Sequence, residues 1–243
     1  MPHKILILGG TGLAREAANA LVARSQHVIS SLAGVTRTPH LPMGEIRTGG
    51  FGGIDGLVSY LGHERFDWVV DATHPFAAQM SAHADAACTR IGARLIRLEA
   101  PAWLPQSGDD WRVVSSPADA AQSLPKNTNV AVTVGRKEIA AFFARSDLSG
   151  IARMIEPPNV EVPPHWQVLL ERPPFTLEAE IDLLRASNVD FLVSKNAGGA
   201  RATKLDAATA LVLPVIIISR PFKPAVTTVS NVAELLGRLG FED

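Results

Sequence analysis

Short apolar runs alternate along this chain with stretches whose apolar residues recur at three- and four-residue spacing, a pattern that predicts parallel β-strands joined by crossover helices. In the first part, strands are expected over 5–8, 27–32, 68–71 and 95–98, and helices over 13–24, 54–61 and 76–91. Proline, glycine and aspartate interrupt the pattern at 101–110. A second series then predicts strands over 113–114, 130–134, 152–155, 168–170, 191–194 and 215–218, with helices over 118–124, 138–144, 177–186, 203–211 and 232–239. The expected fold is α/β, with mainly parallel sheets in two subdomains, 1–105 and 106–243, and a cleft between them. Exchange of strands between the two halves stays open.

Composition narrows the partners. The 243 residues carry a formal net charge of −1, so no polyanion track for nucleic acid and no electrostatic membrane anchor is expected. The amino terminus lacks a basic segment leading into an apolar signal core, and the longest apolar run, over 210–218, is too short to span a bilayer and contains Pro214. Cys88 is the single cysteine, which excludes an internal disulfide and a multi-cysteine metal site and fits a reducing cytoplasm. The seven histidines show no close ligand pairing, so no metal is expected.

The first strand runs into Gly9-Gly10-Thr11-Gly12, followed by an alanine-rich helical stretch. Glycines at the carboxyl end of a buried strand let backbone N–H groups approach a pyrophosphate at the positive end of the next helix. Arg15 stands where the usual third glycine would be; Ala14, Ala17 and Ala18 supply small residues for helix–strand contact, and Arg15 itself can meet phosphate. The alternative is a purely structural turn. After the second strand, Ser30-Ser31-Leu32-Ala33-Gly34-Val35-Thr36-Arg37 holds no acid. An acid there would serve a ribose 2′-hydroxyl and repel a 2′-phosphate, whereas Ser31 and Arg37 would bind one, so the expected cofactor is NADPH.

Two further segments stand out. In Gly49-Gly50-Phe51-Gly52-Gly53, glycines flank one aromatic, which predicts a tight loop in which Phe51 either lies against a flat ligand or plugs the core. Asp71-Ala72-Thr73-His74-Pro75-Phe76-Ala77 follows a strand; Thr73 suits a helix cap and Pro75 a first helical turn, while His74 can hydrogen-bond a cofactor or pass a proton.

Together with Ala14-Arg15, Ser31-Leu32-Ala33-Gly34, and Lys195-Asn196-Ala197-Gly198-Gly199 with Lys204, these motifs resemble the precorrin-6A reductase family over nearly the whole chain. Leu13 departs from the pattern, since the family often has an acid there. The resemblance implies two Rossmann-like subdomains and a reductase of cobalamin biosynthesis that uses a reduced nicotinamide cofactor to saturate one double bond of precorrin-6A, giving precorrin-6B. Cofactor contacts are then expected from Gly9, Gly10, Thr11, Gly12, Arg15, Ser31, Arg37, Gly50, Phe51, Gly52, Thr73 and His74, with His74 also the candidate proton donor.

A precorrin is an anionic tetrapyrrole, so its site should combine apolar surface with placed cations and amides. Arg136, Lys137, Lys195, Asn196, Gly198, Gly199 and Lys204 are the candidates, at expected strand ends that also carry Arg172, Arg201 and Arg220. Helix N-termini behind Gly135 and Gly199 would add amide donors. Transient contact with neighbouring pathway enzymes is a further expectation. Two other readings remain: an NADP-binding sensor that transfers no hydride, and a two-lobed protein holding a sugar nucleotide. The Tyr-x-x-x-Lys pair of catalytic short-chain reductases is absent, because the only tyrosine, Tyr60, is followed at that spacing by Glu64.

Overall fold

The computed structural model describes residues 2–34 and 41–241. Its elements begin with β1 (Lys4–Leu8), α1 (Gly12–Ala23), β2 (His27–Leu32), β3 (Glu45–Thr48), α2 (Gly53–Glu64), β4 (Trp68–Asp71), α3 (Ala78–Ile91) and β5 (Leu95–Leu98). They continue with β6 (Trp111–Val114), α4 (Pro117–Ser123), β7 (Asn129–Thr133), α5 (Ala140–Phe143), β8 (Ser149–Met154) and β9 (Trp166–Leu170). The last are α6 (Leu177–Ala186), β10 (Phe191–Lys195), α7 (Thr203–Ala210), β11 (Val215–Ile218), β12 (Thr228–Val229) and α8 (Val232–Leu239). Two compact units result, one from Met1–Pro101 with Pro221–Asp243 and the other from Ala102–Arg220.

The first unit holds a six-stranded sheet in the order β12-β5-β4-β1-β2-β3, and every pairing within it is parallel. Strand β1 is apolar on both faces because both are covered. Ile5 and Ile7 join a core with Ala14, Ala17, Ala18 and Leu21 of α1, while Leu6 and Leu8 join another with Leu57, Leu61 and Ala84. The alanine stripe of α1 brings that helix close to the sheet without large side chains. Thr11 starts α1 by accepting the Ala14 N–H on its hydroxyl.

The second unit repeats the design in the order β6-β11-β10-β7-β8-β9, again all parallel. Its core gathers Ala131, Ile151, Leu184, Leu192, Leu205 and Ile217 from both sheet and helices.

The expected division at 105/106 requires correction at the carboxyl end. Residues 221–243 belong to the first unit: Thr228 pairs with Arg97 and Val229 with Leu98. The physical reason is the face of α8, where Val232, Leu235, Leu236 and Leu239 repeat at helical spacing and enter the core shared by α1 and Ile96. Asn231 caps this helix at one end and Gly240, at φ 81°, closes the other. Strand β6, which follows the first series, correspondingly pairs with β11 in the second sheet. Strands β3 and β12 were not anticipated, since one is a mostly exposed edge and the other only two residues long.

Candidate functional site

In the first unit the expected cofactor residues collect at the carboxyl ends of β1, β2, β3 and β4. Gly10 has φ +110°, and a Cβ added at Gly10 or Gly12 would meet nothing within 4 Å. Internal packing therefore does not require those two glycines; they leave open space in front of the first turn of α1, which carries no acidic residue. Arg15 is partly buried on that turn; its N–H donates to Thr11 O at 3.2 Å, and its side chain makes no hydrogen bond or ion pair among the described residues. The Gly9 N–H donates to Ser31 O at 3.0 Å, joining the turn to the end of β2. Thr11 donates its hydroxyl to Ala72 O at 3.0 Å, joining it to β4. Arg37 lies outside the described residues.

The glycine loop after β3 is organised by a residue the sequence reading did not single out. Arg47 sits beside Ser31 in register, donates from Nη1 to Ser31 Oγ at 3.3 Å and Gly49 O at 2.7 Å, and from Nη2 to Gly50 O at 2.8 Å. Its guanidinium carbon stands 3.8 Å from the Phe51 ring centroid. Phe51 packs on the core cluster of Leu57 and Leu61 and tilts against Tyr60, so the plug reading describes its position. Gly56 makes this possible: a Cβ there would lie 1.7 Å from Phe51 O.

At the end of β4, Asp71 is fully buried and accepts the Thr73 hydroxyl at 2.7 Å and the Thr73 N–H at 3.3 Å. Burial pushes this carboxyl up, but hydrogen bonds from Ser81, Thr73 and Arg97 and the charge of Lys223 outweigh it and hold the pKa below the usual carboxylate range. Thr73 thus serves Asp71 instead of capping α3, whose N-cap is Ala77. His74 is exposed, and its Nδ1 accepts the Phe76 N–H at 3.2 Å, which in the neutral ring puts the proton on Nε2.

In the second unit, Lys195 ends β10 and its ammonium contacts Glu138 Oε1 at 2.8 Å. Lys204, partly buried in the first turn of α7, donates to Thr133 Oγ1 at 2.8 Å. Arg153, from β8, reaches Glu180 with Nη2 at 2.7 and 2.9 Å and lies 4.0 Å from the Phe175 ring centroid. Burial pushes the Lys204 pKa down to about 8, with the Arg153 and Lys195 charges adding and Glu180 opposing. Lys195 thus pairs with Glu138, and Arg153 with Glu180 and, at 3.9 Å, with Glu171, while Lys204 bonds the neutral Thr133 hydroxyl and has no carboxylate within ion-pair distance among the described residues. Neither Arg153 nor Glu180 was legible as a site residue, because each lies inside an ordinary strand or helix pattern.

The remaining candidates divide. Arg136 and Lys137 sit in the turn after β7, without an ion pair among the described residues. Asn196 is committed elsewhere: its Oδ1 accepts the Trp103 N–H at 2.8 Å and its Nδ2 donates to Trp103 O at 2.9 Å. The Trp103 indole in turn donates to Gly199 O and Ala200 O, each at 3.1 Å, closing a loop in which Gly198 and Gly199 have φ +74° and +75°. Arg201 is held by Asp109 and Asp206, and Arg172 by Glu156. The helix expected over 138–144 behind Gly135 needs correction, because α5 is a single turn beginning at Ala140, whereas α7 begins at Thr203 as expected, with loop between it and Gly199.

Parallel α/β units with glycine turns at their strand ends define a two-unit Rossmann-like protein with one cofactor-type edge and one cationic edge. The family described as precorrin-6x reductase CbiJ/CobK matches residues 4–239, and the chain belongs to that family. It is 45% identical to a precorrin-6A reductase of Rhodococcus erythropolis over 98% of this chain and 97% of that protein. It is 40% identical to a precorrin-6A reductase of Rhodobacter capsulatus, over 97% and 95%. A solved structure described as CobK precorrin-6A reductase superposes with a TM-score of 0.92 at 40% identity, covering 99% of this chain and 96% of that one. Among the described residues, no helix is long and apolar enough to cross a membrane.

Proposed function

We infer that this chain reduces one carbon–carbon double bond of precorrin-6A to give precorrin-6B in cobalamin biosynthesis, with NADPH as reductant. Family membership supports the reaction. Relatives named for the metal-free substrate are 38% to 45% identical to this chain, whereas those named for the cobalt form are 26% to 28% identical, which favours metal-free precorrin-6A.

The observation that carries the assignment of substrate to the second unit is Lys204, a cation that bonds the Thr133 hydroxyl at 2.8 Å and has no carboxylate within ion-pair distance among the described residues. A substrate carboxylate supplies the counter-charge. Arg136 and Lys137 extend the cationic edge, and Asn196 acts by holding Trp103 and the Gly198–Gly199 loop in place.

The open space before α1 and the acid-free end of β2 fit a phosphorylated nicotinamide dinucleotide in the first unit. When bound, NADPH supplies a hydride to one carbon of the conjugated system, and a proton at the adjacent carbon completes the reduction. Gly9, Gly10, Gly12 and Arg15 take the pyrophosphate, Ser31 and Arg37 the 2′-phosphate, and Gly50, Phe51, Gly52 and Thr73 shape the wall. His74 holds a proton at Nε2. The protein works in the cytoplasm and meets neighbouring pathway enzymes transiently.

The test is incubation with precorrin-6A and either NADPH or NADH, following cofactor absorbance and the mass of the extracted tetrapyrrole. A gain of two hydrogens with NADPH preferred is expected. Cofactor binding without change in the macrocycle overturns the reading in favour of a sensor. Unchanged turnover in His74→Ala removes the proton-donor role.

A further inference from the structure

We propose that Arg47 is the specificity-determining residue that reads the ribose 2′-phosphate of NADPH. The inference rests on the cofactor reading above and adds a residue to it. In a βαβ nucleotide fold, the carboxyl end of the second strand is where the adenosine ribose is recognised, and an arginine near that point accommodates a 2′-phosphate. Here that strand end is Ser31, and Arg47 is its cross-strand neighbour on β3, in contact through Nη1 at 3.3 Å.

Three observations single Arg47 out. Its guanidinium is fixed from one side by Phe51 at 3.8 Å, with Tyr60 at 5.1 Å, so it is preorganised and not free to sample solvent. Its hydrogen-bond partners among the described residues are Ser31 Oγ, Gly49 O and Gly50 O, all uncharged. A guanidinium has five N–H donors, and the three spent on these oxygens leave two. Finally, Arg47 is partly buried yet has no carboxylate within ion-pair distance among the described residues. Arg97, Arg153 and Arg201, by contrast, each pair with a carboxylate, Asp71, Glu180 and Asp109 respectively. A partly buried, stacked cation bonded to neutral oxygens is complementary to a dianionic phosphate. The same three hydrogen bonds also brace the glycine loop, so recognition and loop bracing must be separated by experiment.

Calorimetric binding of adenosine 2′,5′-bisphosphate and of 5′-AMP to the full chain separates them, alongside steady-state kinetics with NADPH and NADH. The wild type should favour the bisphosphate by about tenfold or more, the scale of a charge-assisted contact. Arg47→Met should abolish that preference, weakening the bisphosphate by about tenfold more than 5′-AMP and raising KM for NADPH more than for NADH, and Arg47→Lys should keep part of the preference because it keeps the charge. An equal loss for both nucleotides in both variants makes Arg47 a loop brace only and overturns the proposal. A preserved preference in Arg47→Met also overturns it, with the NADPH reading intact. A wild type that does not distinguish the two nucleotides overturns the NADPH reading and this proposal with it.

Discussion

The Arg97 guanidinium donates from Nε to Asp71 Oδ2 at 3.2 Å and from Nη1 to Pro224 O at 3.0 Å, so one buried cation joins the end of β4 to the segment that returns to the first sheet. Asp71 also holds Thr73, and the returning backbone is bonded to β5 from Thr227 O to the Arg97 N–H at 2.8 Å. Lys223 adds an ion pair to Glu99 at 2.5 Å. The loop beginning at Thr73 is therefore linked through Asp71 and Arg97 to the returning segment at Pro224.

Removing Arg97 leaves a buried carboxylate without its cation. Arg97→Met should cost about 3–5 kcal/mol of stability, read as a lower denaturant midpoint. A loss well under 1 kcal/mol would show that Asp71 is satisfied by Thr73 and Ser81 alone.

The same carboxylate makes stability depend on pH. Its folded pKa lies below the unfolded value near 3.8, so the contribution is complete above that value and is lost as pH falls through the folded pKa. The stability gap between wild type and Asp71→Asn should therefore hold constant from neutral pH down to about 5 and shrink below about 4, as followed by urea unfolding.

Lys204 adds a pH dependence of the same sign in the alkaline range. With a folded pKa of about 8 against an ordinary 10.5, the unfolded chain binds more protons between those values, so stability rises with pH across that window. Lys204→Met should lack this rise. Because the cation is lost above about pH 8, kcat/KM for the tetrapyrrole should fall there, and Lys204→Arg should move the fall to higher pH.

Gly56→Ala tests the glycine loop. The added methyl would lie 1.7 Å from Phe51 O, so the loop must move. We expect NADPH affinity to drop by about tenfold, with an overpacking cost of about 1–3 kcal/mol. Unaltered affinity would mean that the loop does not contribute to the cofactor site.

Asn196→Ala removes both bonds to the Trp103 backbone. A destabilisation of about 1–3 kcal/mol and a raised KM for the tetrapyrrole, with NADPH affinity unchanged, are the expected results.

The strand and helix alternation was readable because buried parallel strands are apolar on both faces and their helices carry one apolar stripe: β2, β4, β5, α6, β11 and α8 fall where the pattern puts them. The glycine turns, Ser31, His74 and Lys195 were likewise legible, since each stands at the end of such a strand. Only the tertiary structure decided which sheet the last strand joins, because a two-residue strand contains no pairing information and its place is set by the fit of α8 against α1. It alone also brought Arg47 to Ser31 and Arg153 to Glu180. Such partners come from separate elements, and their charges acquire meaning only once packing has removed the water between them.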